Sequence, residues 1–140
     1  MENYKKTFDW DSLGLDFGNW QDEKLWALEL PVTRMNIKDL LWLFDVPFWP
    51  NDNNERWTVT PWDVIHKSEN GKNEQAALEK ADLSFPIDIL ENKGRWLVLD
   101  GLHRLAKSYL QGKEEVNVRI VPRERLPEIL TGEPIELPSR

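Results

Sequence analysis

No cysteine occurs among the 140 residues, which excludes disulfides, thiolate metal sites and cysteine nucleophiles. Nor does any run approach the ~18 to 20 apolar residues of a membrane-spanning helix. The opening MENYKKTFDWDSLG has no apolar segment behind its lysines, so it does not read as a secretory signal. A cytoplasmic location and no membrane partner are expected. Positive charge is in deficit: 18 Lys and Arg face 25 Asp and Glu, for a formal net charge of −7. Gripping nucleic acid takes cations that neutralise phosphates, so the overall field runs against that partner, while a local basic patch is still compatible with it. No internal repeat is present.

What is present is the composition of one globular domain, 40% apolar and 31% charged, long enough for a single core. Eight tryptophans read as core or groove-lining, because an indole brings much apolar area and needs one hydrogen-bond partner.

Residues 1–24 are polar with scattered aromatics (Phe8, Trp10, Phe17, Trp20) and read as an irregular arm. LWALELPV, 25–32, reads as a strand. Asn36 as N-cap, Asp39 three residues on, and Ile37, Leu40, Leu41 and Phe44 at helical spacing predict a helix over about 37–45. VPFWPNDNNERW, 46–57, is a loop. Thr60, Pro61 and Asp63 mark a helix start, KSENGKN a second loop, and EQAALEKA a further helix. SFPIDIL and RWLVLD predict strands joined by the turn ENKG. EEVNVRIVP alternates Val116, Val118 and Ile120 with polar residues and predicts another strand. A short helix over about 123–130 precedes a tail, 131–140, expected to be loose. The reading is an α/β fold of the α+β type: one small domain over 25–130, a mixed sheet flanked by helices.

Between the last two strands a helix places Leu102, Leu105, Ala106, Tyr109 and Leu110 on one stripe, with Gly112 as its C-terminal glycine. His103, Arg104 and Lys107 fall off the stripe and are expected on the exposed side. A helix N-terminus already carries roughly half a positive charge, so cations there are unfavourable unless an anion is bound. A phosphate on the helix end reverses the sign of every one of these contacts. Gly101 would let an anion approach the backbone. The alternatives stand beside this: Arg104 pairing with Asp100 or Glu91, and His103 capping or sitting in water. Asp100 reads equally as an N-cap, a metal ligand, or an acceptor for a substrate amine or ribose.

The order PIDIL, WLVLDG, GLHR, an amphipathic helix ending in glycine, then VNVRIVP resembles the ParB/sulfiredoxin superfamily, with its G-x-[HR]-R element at the same strand-to-helix junction. The likeness covers residues 83–122, and LELPVTRMNIKDL, 28–40, resembles the family's upstream strand and helix. It implies a nucleotide site: CTP in ParB proteins, ATP in sulfiredoxins, ADP or ATP in free serine kinases with a D-G-H-H-R junction. Asp100, Gly101, His103 and Arg104 match that last form, with Leu102 in place of one histidine. His103 and Arg104 are then expected to hold phosphates, with backbone N–H groups of Gly101 and Leu102, and Lys107 and Arg119 adding charge. Sulfiredoxin carries its catalytic cysteine at the position of Leu102, so repair chemistry is not expected. ParB proteins continue into a helix-turn-helix domain, which argues against centromere binding by this chain, and no carboxylate cluster suggests two-metal nuclease chemistry.

Serine-kinase relatives place a catalytic glutamate near the end of the first strand, and Glu29 is the nearest match. A phosphotransferase also needs a carboxylate at the acceptor hydroxyl and usually Mg²⁺. Glu29 and Asp100 are the catalytic candidates; Asp88 shares the strand geometry of Glu29. In the 46–57 loop Trp49, Trp57, Asp52 and Arg56 are candidate ligand contacts, and Arg123 is a further cation near the last strand. The expectation is a nucleotide-dependent phosphotransferase acting on a small hydroxyl-bearing substrate. The alternatives are a non-catalytic nucleotide sensor with a protein partner and, less favoured, a DNA-associated protein.

Overall fold

The computed structural model describes residues 8–137; the first seven positions of the expected arm and the last three of the tail lie outside them. Four strands form one mixed sheet: β1 (Val32–Asn36), β2 (Ile87–Asn92), β3 (Arg95–Asp100) and β4 (Glu115–Ile120), in the order β1-β4-β2-β3. β1 pairs antiparallel with β4, β2 antiparallel with β3, and β2 runs parallel to β4. The α+β reading holds. β2 is buried on both faces, as a central strand must be. Ile87 and Ile89 face one apolar layer, and Leu90 faces the other.

The larger layer packs four pieces on one face of the sheet. They are the 3-10 helix Ile37–Asp45, α2 (Pro61–Ile65), α3 (Lys72–Lys80) and α4 (Leu102–Leu110). The smaller layer sets α1 (Asp22–Ala27) and the 3-10 helix Arg123–Glu128 against the other face through Leu25, Leu28, Leu126 and Ile129. Asn36 caps its helix by accepting from the Lys38 N–H, and Thr60 and Asp63 form the expected reciprocal cap at the start of α2.

Three expectations are corrected. LWALELPV is not a strand: residues 22–27 are helical and β1 begins only at Val32. Leu25 and Leu28, three apart, are the buried pair, a helical spacing that an unbroken apolar run conceals. Second, the buried face of α4 is Leu105, Ala106 and Ser108, while Leu110 is 52% exposed. α3 packs against α4 on the side of His103 and Lys107, so those two are half-buried rather than solvated. Third, the start of the tail is tied down, because the backbone of 129–133 pairs antiparallel with residues 19–21: Gln21 N–H donates to Ile129 O (2.8 Å), Thr131 N–H to Asn19 O (2.9 Å) and Asn19 N–H to Glu133 O (2.8 Å).

Thr60→Ala removes one half of the α2 cap and is expected to cost about 1 kcal/mol. Urea unfolding of wild type and variant measures it, with an unchanged slope and a lower midpoint as the expected result.

Candidate functional site

β3 ends at Asp100 and α4 begins at Leu102, with Gly101 between them at φ 110° and ψ 19°. That left-handed backbone is open to glycine at little cost and strained for other residues. A second constraint acts at the same place. A Cβ on Gly101 would lie 2.9 Å from Arg104 Nη2 and 3.2 Å from Ile87 Cγ1. Arg104 folds back over the glycine, and its Nη2 donates to Asp100 Oδ2 at 3.0 Å. The room made by the missing side chain is therefore occupied by this guanidinium. Asp100 also accepts from Trp26 Nε1 at 2.8 Å, so it closes the junction instead of capping the helix. No side chain caps α4 and no acidic residue stands in its first turn, leaving N–H groups at that end without intrahelical partners.

The other expected cations are partnered too. His103 Nε2 meets Glu74 Oε1 of α3 at 2.7 Å, and its ring stacks on Trp49 at 4.4 Å and 7°. Lys107 Nζ donates to the carbonyls of Glu79 and Ala81, each at 2.8 Å, where a cation meets the C-terminal end of α3. Arg119 donates to Asp88 Oδ1 (2.6 Å), Leu28 O (2.6 Å) and Leu25 O (3.0 Å). Arg123 pairs with Asp16 and with Asn92 Oδ1. Lys107 and Arg119 are thus helix-end ties, and Arg119 lies on the far side of the sheet from α3. Glu29 is exposed on the connection between α1 and β1, not on a strand and not among the groups around Gly101. Asp88 is buried against Arg119.

A cleft of about 700 Å³ opens in front of the junction. Gly101, Leu102 and His103 form its floor, Trp49 and Trp57 one wall, and the chain segment 133–137 another. Trp57 has φ 61°, a left-handed conformation that costs a bulky residue free energy and recurs at functional sites. Its ring meets Trp10 edge-on at 5.2 Å, and Arg56 lies over it at 5.7 Å. Asp52 is turned elsewhere: it accepts from the N–H groups of Lys72 and Asn73 and so caps α3. A second cleft, about 540 Å³, shares Asp100 with the first and is lined also by Arg104, Asp88, Arg119, Trp26 and Phe85.

The charges beside the junction are read by two carboxylates. Asp82 is held below the usual carboxylate range, first by the Ser84 N–H and then, more weakly, by Lys107 and Arg104. Asp22 is pushed above it, mainly by burial and then by the negative charges of Asp100 and Asp88. Among the described residues no group of three or more His, Asp or Glu is placed to hold a metal ion. Among them too, no helix is long and apolar enough to cross a membrane.

The structure brings Asp100, Gly101, Leu102 and His103 to one cleft with Trp49, Trp57 and Arg56, while Arg104, paired with Asp100, lines the second cleft. It leaves Glu29 outside. Glu74 and the 133–137 segment were not legible in sequence, because each reaches the site from about 30 residues away along the chain. No family model, no curated protein and no solved structure matches the chain.

Arg119→Ala leaves a buried carboxylate unpaired and is expected to destabilise by about 3 to 5 kcal/mol, with Asp88→Leu/Arg119→Leu recovering much of the loss. Equilibrium denaturation of the two variants decides. For Asp22, a raised native pKa means that ionisation weakens the fold: the favourable part is present below the unfolded pKa and is lost as pH rises through the native one. Asp22→Asn should therefore raise the melting temperature at pH 7, and the gain should fade below about pH 4, as a pH series of melting curves would record.

Proposed function

We propose that the chain binds a nucleotide (ATP, ADP or CTP) through phosphates seated at the N-terminus of α4, as a ParB/sulfiredoxin-like domain would. One observation carries the reading. A nine-residue helix, uncapped and with no acid in its first turn, opens onto a cleft of about 700 Å³ flanked by His103, Arg56 and Trp57. Small-molecule sites fall in the range of about 300 to 1,000 Å³. Further support comes from the element order: β2, β3, glycine, α4, glycine and β4 follow in the sequence on which the resemblance rests.

The binding chemistry is an exchange of anions. His103 and Arg104 face Glu74 and Asp100 in the free protein. A phosphate takes the place of these carboxylates at no loss of charge pairing and adds hydrogen bonds from the helix N–H groups. Trp57 offers a face for the base. Mg²⁺ would offset the remaining phosphate charge, bound by the ligand with Asp100 as the carboxylate at hand.

Phosphoryl transfer to a small hydroxyl-bearing acceptor would rest on Asp100, since Glu29 stands exposed outside the cluster. That placement favours the second reading: nucleotide binding without transfer, coupled to a protein partner.

A thermal-shift titration with ATP, ADP and CTP, with and without Mg²⁺, tests both. A ligand at about 100 times its Kd stabilises by about 2.7 kcal/mol, a shift of several degrees in a domain of this size. The shift is expected in wild type and absent in Arg104→Ala. No shift with any of the three at millimolar concentration overturns the proposal. Formation of ADP or AMP in the presence of small hydroxyl acceptors, lost in Asp100→Asn, would establish transfer over binding alone.

A further inference from the structure

The wall formed by residues 133–137 has its own construction. The backbone ladder between 19–21 and 129–133 includes Gly132, whose φ is 90°, and the chain from Glu133 on runs along the cleft. Beside the Asn19 N–H bond to Glu133 O, further contacts hold it. Asn19 Nδ2 donates to Pro134 O at 2.9 Å, the Glu133 N–H donates to Thr131 Oγ1 at 3.1 Å, and Leu137 packs on the main apolar layer. The opposite strand is shaped to receive it: a Cβ on Gly18 would lie 2.4 Å from the Glu133 carbonyl oxygen. Only a residue without a side chain lets the segment lie this close. The segment is also charged for its position. Glu133 and Glu136 line the same cleft as Arg56, His103 and the N-terminus of α4, where a bound anion would be attracted.

Its attachment is slight by comparison with the core. Glu133, Pro134 and Glu136 are exposed, and Ile135 and Leu137 are only half-buried. Such a segment opens at low free-energy cost while the sheet stays intact. We infer that residues 133–137 are a displaceable acidic strap along one wall of the cleft, whose negative charge weakens the binding of an anionic ligand at the α4 N-terminus. The inference rests on the nucleotide reading for the identity of that ligand, but the position of the strap is measurable without one.

Because the chain has no cysteine, a single Ile135→Cys variant reports strap opening through its rate of alkylation by N-ethylmaleimide. Gly18→Ala, added to it, forces the Glu133 carbonyl away and should raise that rate severalfold. In parallel, the Kd for MgATP is measured in wild type, Gly18→Ala and a chain ending at Gly132. Both changed proteins should bind about three- to tenfold more tightly, the range expected from losing one or two weak hydrogen bonds that oppose binding. An alkylation rate unaffected by Gly18→Ala overturns the strap. A faster rate with equal or weaker MgATP binding overturns the weakening of ligand binding. A faster rate while none of the proteins binds ATP, ADP or CTP upholds the strap and sinks the nucleotide reading instead. If the shortened chain does not fold, Gly18→Ala and the milder Asn19→Ala, which removes the bond to Pro134, give the same comparison in the full chain.

Discussion

One largely covered guanidinium ties the smaller layer of this protein to its sheet. Arg119 leaves β4 one residue before its end, meets Asp88 on the neighbouring β2, and continues to the carbonyls of Leu25 and Leu28 at the end of α1. Both partners of the ion pair are almost fully covered, so neither can lose the other without leaving a charge in a poorly solvated place. The geometry fixes where α1 ends. It thereby positions Trp26, whose indole N–H reaches Asp100, and Asp100 in turn holds Arg104 over Gly101. A chain of polar contacts thus runs from the far face of the sheet to the first turn of α4.

That chain explains why so many charges sit at one strand-to-helix junction in a protein of net charge −7. Arg104, His103 and Lys107 on α4 each have a partner from outside that helix: Asp100 from β3, Glu74 from α3, and the carbonyls at the end of α3 for Lys107. The unfavourable meeting of cations with a helix N-terminus is offset internally. The backbone N–H groups of that turn are not answered by any side chain. An anion entering the cleft would find donors already aimed and side chains already held, an arrangement in which little ordering remains to be done on binding.

Glu133 and Glu136 of the inferred strap contribute negative potential at the cleft wall. How far an anionic ligand would displace the strap depends on the ligand's affinity and on its concentration. The close approach at Gly18 sets how well the strap fits.

By itself the sequence determined the local features whose physical cause spans a few residues. Thr60, Pro61 and Asp63 start α2; alternation in EEVNVRIVP makes β4; Gly101 marks the turn into α4. The cluster Asp100, Gly101, Leu102, His103 and Arg104 was equally legible, since five consecutive residues cannot be far apart. Tertiary structure decided what those side chains face. The start of LWALELPV became the last turn of α1, where Leu25 and Leu28 bury together against Leu126 and Ile129, a contact about a hundred residues apart. Glu29 was carried away from the junction by that same helix. His103 met Glu74 and Trp49, and Arg119 met α1, through packing that no local pattern encodes. Short-range propensity and spacing are written into neighbours along the chain, whereas the pairing of charges across elements depends on which apolar faces the whole fold brings together.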